Sequence, residues 1–207
     1  MAGAMLLLVG CTGSGPVQLD DDQKVVRAVL VLLAKAGPVC VDRTTRGDTL
    51  FAYREMLQAT RPARVALAWH QPLPLRPPPA LTDRDMARDQ FRSERVRIEE
   101  PDADAVALPI VQQTMLNGSA GRLAQMLDAP SAVSIGAAWA PPGVAARWWP
   151  LNRIRSDCTP NYMLMTPVRT RTLAFVGVSA DHWGTIYAFQ RRGADWVPAA
   201  RWTSWLY

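Results

Sequence analysis

The stretch Leu173-Ala174-Phe175-Val176-Gly177-Val178-Ser179 constrains the fold more than any other part of the chain. It is rich in strand formers and has no proline. Successive side chains of a strand point to opposite faces. Leu173 and Phe175 therefore share one face, and Ala174, Val176 and Val178 share the other. Both faces are apolar, so the strand is expected to be central and covered on both sides. Residues 185–190 read as the next strand, with Tyr187 and Phe189 on one face and Ile186 and Ala188 on the other. Residues 196–205 read as the last strand, and residues 162–167 as a shorter one upstream. The connecting segments, 180–184 and 191–195, are too short for a parallel return and imply antiparallel hairpins. Pro198 removes one ladder donor, which places the last strand at an edge or gives it a bulge. Four of the eight tryptophans fall between Trp183 and Trp205 and read as sheet-face packing rather than as a stacking platform.

The N-terminal half supplies helices. Asp20-Asp21-Asp22 precedes an apolar run over residues 23–36, and Gly37-Pro38 follows it. Acidic residues at the start and Gly-Pro beyond the end fit a helix and its dipole, and explain the three aspartates better than a cation site does. Val25, Val26, Val29, Leu30, Leu32, Leu33 and Ala36 leave only a narrow polar strip around Lys24, Arg27 and Lys35, so this is a core helix laid on the sheet. The expected fold class is α+β, a C-terminal antiparallel β-meander packed against an N-terminal core helix.

The remaining segments are weaker. Val39-Cys40-Val41 opens a short strand. Asp48 caps a helix over residues 49–59 that packs through Phe51, Met56 and Leu57. Residues 64–70 alternate as a strand. Residues 71–80 carry five prolines and form a stiff connector with polyproline character. Thr82 caps a charged surface helix over residues 83–97 with a thin packing stripe of Met86, Phe91 and Val96. Residues 105–116 fit helix and strand equally, Ser119 caps a short helix over residues 119–127, and residues 140–150 read as loop.

The first residues carry the most specific motif. Leu8-Val9-Gly10-Cys11 resembles the lipobox of bacterial lipoproteins. Leu8 stands three before the cysteine, Val9 is a tolerated second residue, and Gly10 is the small residue before cleavage. The basic n-region of such signals has no counterpart in residues 1–5. The resemblance covers about the first fifteen residues and implies a signal peptide at 1–10, lipidation of Cys11 and a flexible tether at 11–19. A single α+β domain, 20–207, then contains the proline-rich connector at 71–80. It also implies attachment, by a lipid anchor in a bacterial membrane, to the periplasmic face of the cell envelope, the outer membrane being favoured. Gly10-x-x-Gly13-Ser14-Gly15 also resembles the start of a Walker A loop. Pro16 and Val17 stand where that loop needs Lys and then Ser or Thr, so the phosphate-binding charge and the Mg²⁺-binding hydroxyl are missing.

Charge and chemistry exclude more than they assign. The formal net charge is +5, but of 23 basic residues only Lys24 and Lys35 are lysines, and no cluster of five or six marks a nucleic-acid surface. The two histidines, His70 and His182, have no ligand-spaced partners, so neither a metal site nor a cofactor is expected. Asn117 replaces the first glycine of a nucleophile elbow at Gly118-Ser119-Ala120-Gly121. The sequence therefore favours a non-enzymatic binding or accessory domain whose ligand or protein partner it does not name. The alternatives are a hydrolase-like enzyme with a site near Asp181 and His182, and a cytosolic protein with an unprocessed N-terminus. With Cys11 taken by lipid, Cys40 and Cys158 form a candidate disulfide joining the core helix to the sheet.

Overall fold

The computed structural model describes residues 17–35, 37–51, 53–54, 67–71, 106–126, 131–148, 161–180 and 183–205. Two helices and seven strands fall within them: α1 (Asp21–Ala34), β1 (Val39–Asp42), α2 (Ile110–Ala124), β2 (Val144–Arg147), β3 (Asn161–Leu164), β4 (Val168–Arg169), β5 (Leu173–Ser179), β6 (Trp183–Arg192) and β7 (Asp195–Trp205). The fold class is α+β, as the sequence predicts.

One mixed sheet runs in the order β2-β1-β3-β5-β6-β7, with β4 pairing β5 off this path. The antiparallel C-terminal series is present. Seven residue pairs join β5 to β6, from Leu173↔Gln190 to Ser179↔Gly184, and the β6–β7 ladder continues from Trp183↔Trp205 to Arg192↔Asp195. The turn between β6 and β7 is only Gly193-Ala194, with Gly193 at φ 63°, a conformation glycine adopts without steric cost. Both outcomes expected of Pro198 occur: β7 is the edge of the sheet order, and the register shifts between Ala188 and Phe189, where Pro198 stands opposite Phe189.

The other half of the sheet is parallel. β1 pairs in parallel with β2 (Cys40↔Ala145) and with β3 (Cys40↔Asn161, Val41↔Tyr162). Strand β2 lies inside the expected loop at 140–150. Its sequence, Val-Ala-Ala-Arg, has little β propensity, and Pro141 and Pro142 precede it. Its pairing comes from β1, to which it is matched residue by residue.

α1 begins with a reciprocal cap: the Gln23 amide donates to Asp20 Oδ1 at 2.8 Å, and the Asp20 amide donates to Gln23 Oε1 at 3.0 Å. Asp21 and Asp22 clamp the helix start to the sheet. Arg169 Nε donates to Asp22 at 2.6 Å and Arg191 Nη1 to Asp21 at 3.0 Å. The aspartate triplet is thus a cap with two ion-paired carboxylates. Val25, Val26, Val29, Leu30, Leu32 and Leu33 are buried against Ala174, Val176, Val178, Tyr187 and Phe189 on one sheet face. Each such side chain contributes about 1.5–3 kcal/mol on burial.

The opposite face is covered as well. Leu50, Tyr53, Leu67, Trp69 and the α2 residues Leu116, Ala120 and Leu123 pack on Phe175, Ile186, Ala188 and Ala200. Strand β5 is therefore buried on both sides, as its composition demands.

Several local expectations change. Residues 110–124 are one helix, so Ser119 is a buried mid-helix residue and not a cap. Pro109 opens this helix as its N-cap and does not break it. Asp48 does cap the turn at Leu50, whose amide donates to Oδ1 at 2.9 Å, but Phe51 is 56% exposed and Leu50 and Tyr53 face inward instead. Leu67 and Trp69 are buried and Ala68 is exposed, in keeping with the alternation there, but only His70 bridges to β7, at Arg201. The connector at 71–80, beyond Gln71, and the charged helix at 83–97 lie outside the described residues.

Candidate functional site

A groove of about 720 Å³ runs along the outer side of α1. One wall is the polar strip of the helix. Lys24, Arg27, Val31 and Lys35 recur at helical spacing and so share one face. The residues opposite are Ala138, Trp139 and Ala140, with Asp195, Trp196 and Pro198 from the start of β7, and the segment from Val17 to Leu19 lines one end. The groove exists because the inner side of α1 is committed to the sheet, while its outer side carries the longest polar side chains of the helix.

Its electrostatics are one-sided. Among the described residues, three cations line it against one carboxylate, Asp195. Both lysines of the chain are among them. They are loosely compensated. Lys24 Nζ lies 3.9 Å from Asp21 Oδ1, a long surface pairing, and Lys35 forms no ion pair among the described residues. Arg27 Nε donates to the Trp139 carbonyl at 3.2 Å and so ties helix to loop across the groove. Apolar surface adjoins the charges, Val17 being 56% and Val31 39% exposed. The Trp196 side chain is buried, with the Arg191 guanidinium 5.7 Å from its ring centroid, and its Nε1–H has no acceptor among the described residues. Such an arrangement suits an anionic group with an apolar neighbour.

Two other polar features stand apart from the groove. Asp42, at the C-terminal end of β1, is fully buried. Its Oδ2 lies 2.9 Å from Arg46 Nε, an ion pair without hydrogen-bond alignment, and Oδ1 accepts no hydrogen bond among the described residues. His70 sits beside β7 with its Nδ1 buried and without a partner among the described residues. Among the described residues no group of three metal-ligating side chains occurs.

Of the residues singled out from the sequence, Cys40 lies buried in β1 and is disulfide-bonded. Cys11, Cys158, Asp181 and His182 lie outside the described residues. Ser119 is interior to α2, and Arg122 Nη2 donates to its hydroxyl at 3.2 Å. The strip of Lys24, Arg27 and Lys35 was visible in the sequence as the polar edge of a core helix. What made it a groove, the approach of residues 138–140 and of β7, had no local signal.

No family model matches the chain, and no curated protein or solved structure matches it either. No helix among the described residues is long and apolar enough to cross a membrane.

Proposed function

We propose that the protein is a lipoprotein tethered through Cys11 to the periplasmic face of a bacterial membrane, the outer membrane by preference, and that its folded part is a non-enzymatic binding or accessory domain. The observation that carries this reading is the sequence Leu8-Val9-Gly10-Cys11 followed by a short tether of small residues. Two further features support it. Cys40 is held in a disulfide, a bond that persists in oxidising compartments. The groove along α1 offers a basic, partly apolar surface suited to binding.

The same reading pairs Cys40 with Cys158 and leaves Cys11 for the lipid. Detergent-phase partitioning of the full chain expressed in a bacterial host tests the tether. Wild type is expected in the detergent phase and Cys11→Ala in the aqueous phase. If wild type also stays in the aqueous phase, the tether does not exist.

A further inference from the structure

We infer that the groove along α1 is the face by which the tethered domain seats on anionic phospholipid headgroups. This deepens the lipoprotein reading and rests on it for the proximity of a bilayer. Three observations combine. The first is reach. Val17 lines the groove and stands six residues after Cys11, so even a fully extended tether holds that end of the groove within about 20 Å of the lipidated residue. A shorter path between groove and anchor brings it closer.

The second is charge. Lys24, Arg27 and Lys35 lie on one side of α1 and its C-cap over twelve residues; among the described residues the only opposing acid lining the groove is Asp195, and no ion pair closer than 3.9 Å engages the two lysines. Basic side chains near an anionic leaflet are attracted over roughly a Debye length, about 8 Å at physiological ionic strength. The third is the mixture of surfaces. Val17 and Val31 are exposed beside the cations, and Trp139 lines the groove with Trp196. Lysine stems and tryptophan rings suit a headgroup boundary, where one end of the side chain is apolar and the other wet. A protein partner would have to match the same strip, but it would not need the groove to lie next to the anchor.

The test uses the full chain with Cys11→Ser, so that no lipid contributes, in co-sedimentation with vesicles of phosphatidylglycerol and phosphatidylcholine or of phosphatidylcholine alone. Binding is expected to the mixed vesicles only, to weaken with salt, and to fall about tenfold or more in Lys24→Gln/Lys35→Gln. The charge-matched control Arg43→Gln/Arg171→Gln, at exposed positions that do not line the groove, is expected to bind as the parent does. No binding to the mixed vesicles, equal binding to both vesicle types, or equal loss in both variants would each overturn the assignment. Circular dichroism checks that both variants keep the fold. The outcome is independent of Cys11 partitioning, so failure of the headgroup seat and failure of the tether are read separately.

Discussion

At the scale of single residues, Asn117 does more than its place in the sequence suggests. Its Oδ1 accepts from the Tyr53 hydroxyl, from the Leu67 amide at 3.1 Å and from Trp69 Nε1 at 3.0 Å, while its Nδ2 donates to the Leu67 carbonyl at 3.2 Å. One side chain of α2 thus satisfies two buried aromatic donors and a strand-like backbone segment. Trp69 is fully buried and Tyr53 almost so, and burial raises the Tyr53 hydroxyl pKa despite the opposing Trp69 hydrogen bond. Asn117→Leu leaves those donors without an acceptor, at about 1–3 kcal/mol for each buried group. The expected loss is about 3 kcal/mol in urea unfolding, and a loss under about 1 kcal/mol would show that the donors find other partners. In the sequence Asn117 stood out only for spoiling a glycine-serine motif, since its partners lie 48 to 64 residues away. Tyr162 gives a pH-dependent case. Burial pushes its hydroxyl from 10.0 up to about 12. The unfolded chain ionises first, so this stability is complete below pH 10 and falls as pH rises toward about 12. At about 1.4 kcal/mol per pH unit the loss reaches about 3 kcal/mol. Tyrosinate absorbance should show one group titrating near pH 12 in the folded protein, and a group titrating near 10 at this site would contradict the burial.

At the scale of elements, what the sequence revealed follows from where each element draws its stability. α1 was clear because its cap, its acidic start and its apolar face are all local, and the structure places it at Asp21–Ala34 within two residues of expectation at each end. Asp20→Ala should therefore cost about 1 kcal/mol, measured as a shift in the thermal midpoint, and Asp20→Asn should restore most of it, since asparagine caps equally well. No effect from Asp20→Ala would mean that Asp21 and Asp22, through Arg169 and Arg191, hold the helix start by themselves. β5 was equally clear, because apolar residues on both faces leave a strand nowhere to lie but the centre. The elements that were missed depend on distant partners. β2 is a strand because β1 lies beside it, and α2 runs unbroken past Ser119 because its inner side, Leu116, Ala120 and Leu123, meets Phe175 and Ile186. Between β3 and β4 the regular ladder lapses over residues 165–167, opposite Val176 and Gly177. Thr49 fills the gap: its hydroxyl donates to the Thr166 carbonyl at 2.6 Å and accepts from the Gly177 amide at 3.0 Å. Nothing near Thr49 in the sequence announces that role.

At the scale of the whole molecule, the sheet has two halves of unequal strength. The antiparallel half is built from long hairpins with seven pairs between β5 and β6 alone. The parallel half is short: β1 meets β3 through two pairs, and the chain between them runs from residue 43 to residue 160. Closing so long a segment for so few hydrogen bonds is entropically unfavourable. Cys40 is disulfide-bonded and stands opposite Asn161 of β3. Cys158 precedes Asn161 by three residues, a reach of about 10 Å at full extension, whereas Cys11 precedes α1 in the chain. A Cys40–Cys158 bridge would fasten the weak half where its pairing is thinnest. For a loop of more than 100 residues the chain-entropy model gives about 5 kcal/mol. Non-reducing peptide mapping is therefore expected to recover Cys40 joined to Cys158, and a Cys40–Cys11 product would remove both this pairing and the lipid-bearing thiol. On reduction, the amides of β1, β2 and β3 should lose protection from hydrogen exchange well before those of β5 and β6. Uniform loss across the sheet would show that the two halves unfold as one unit and that the bridge serves the whole fold equally.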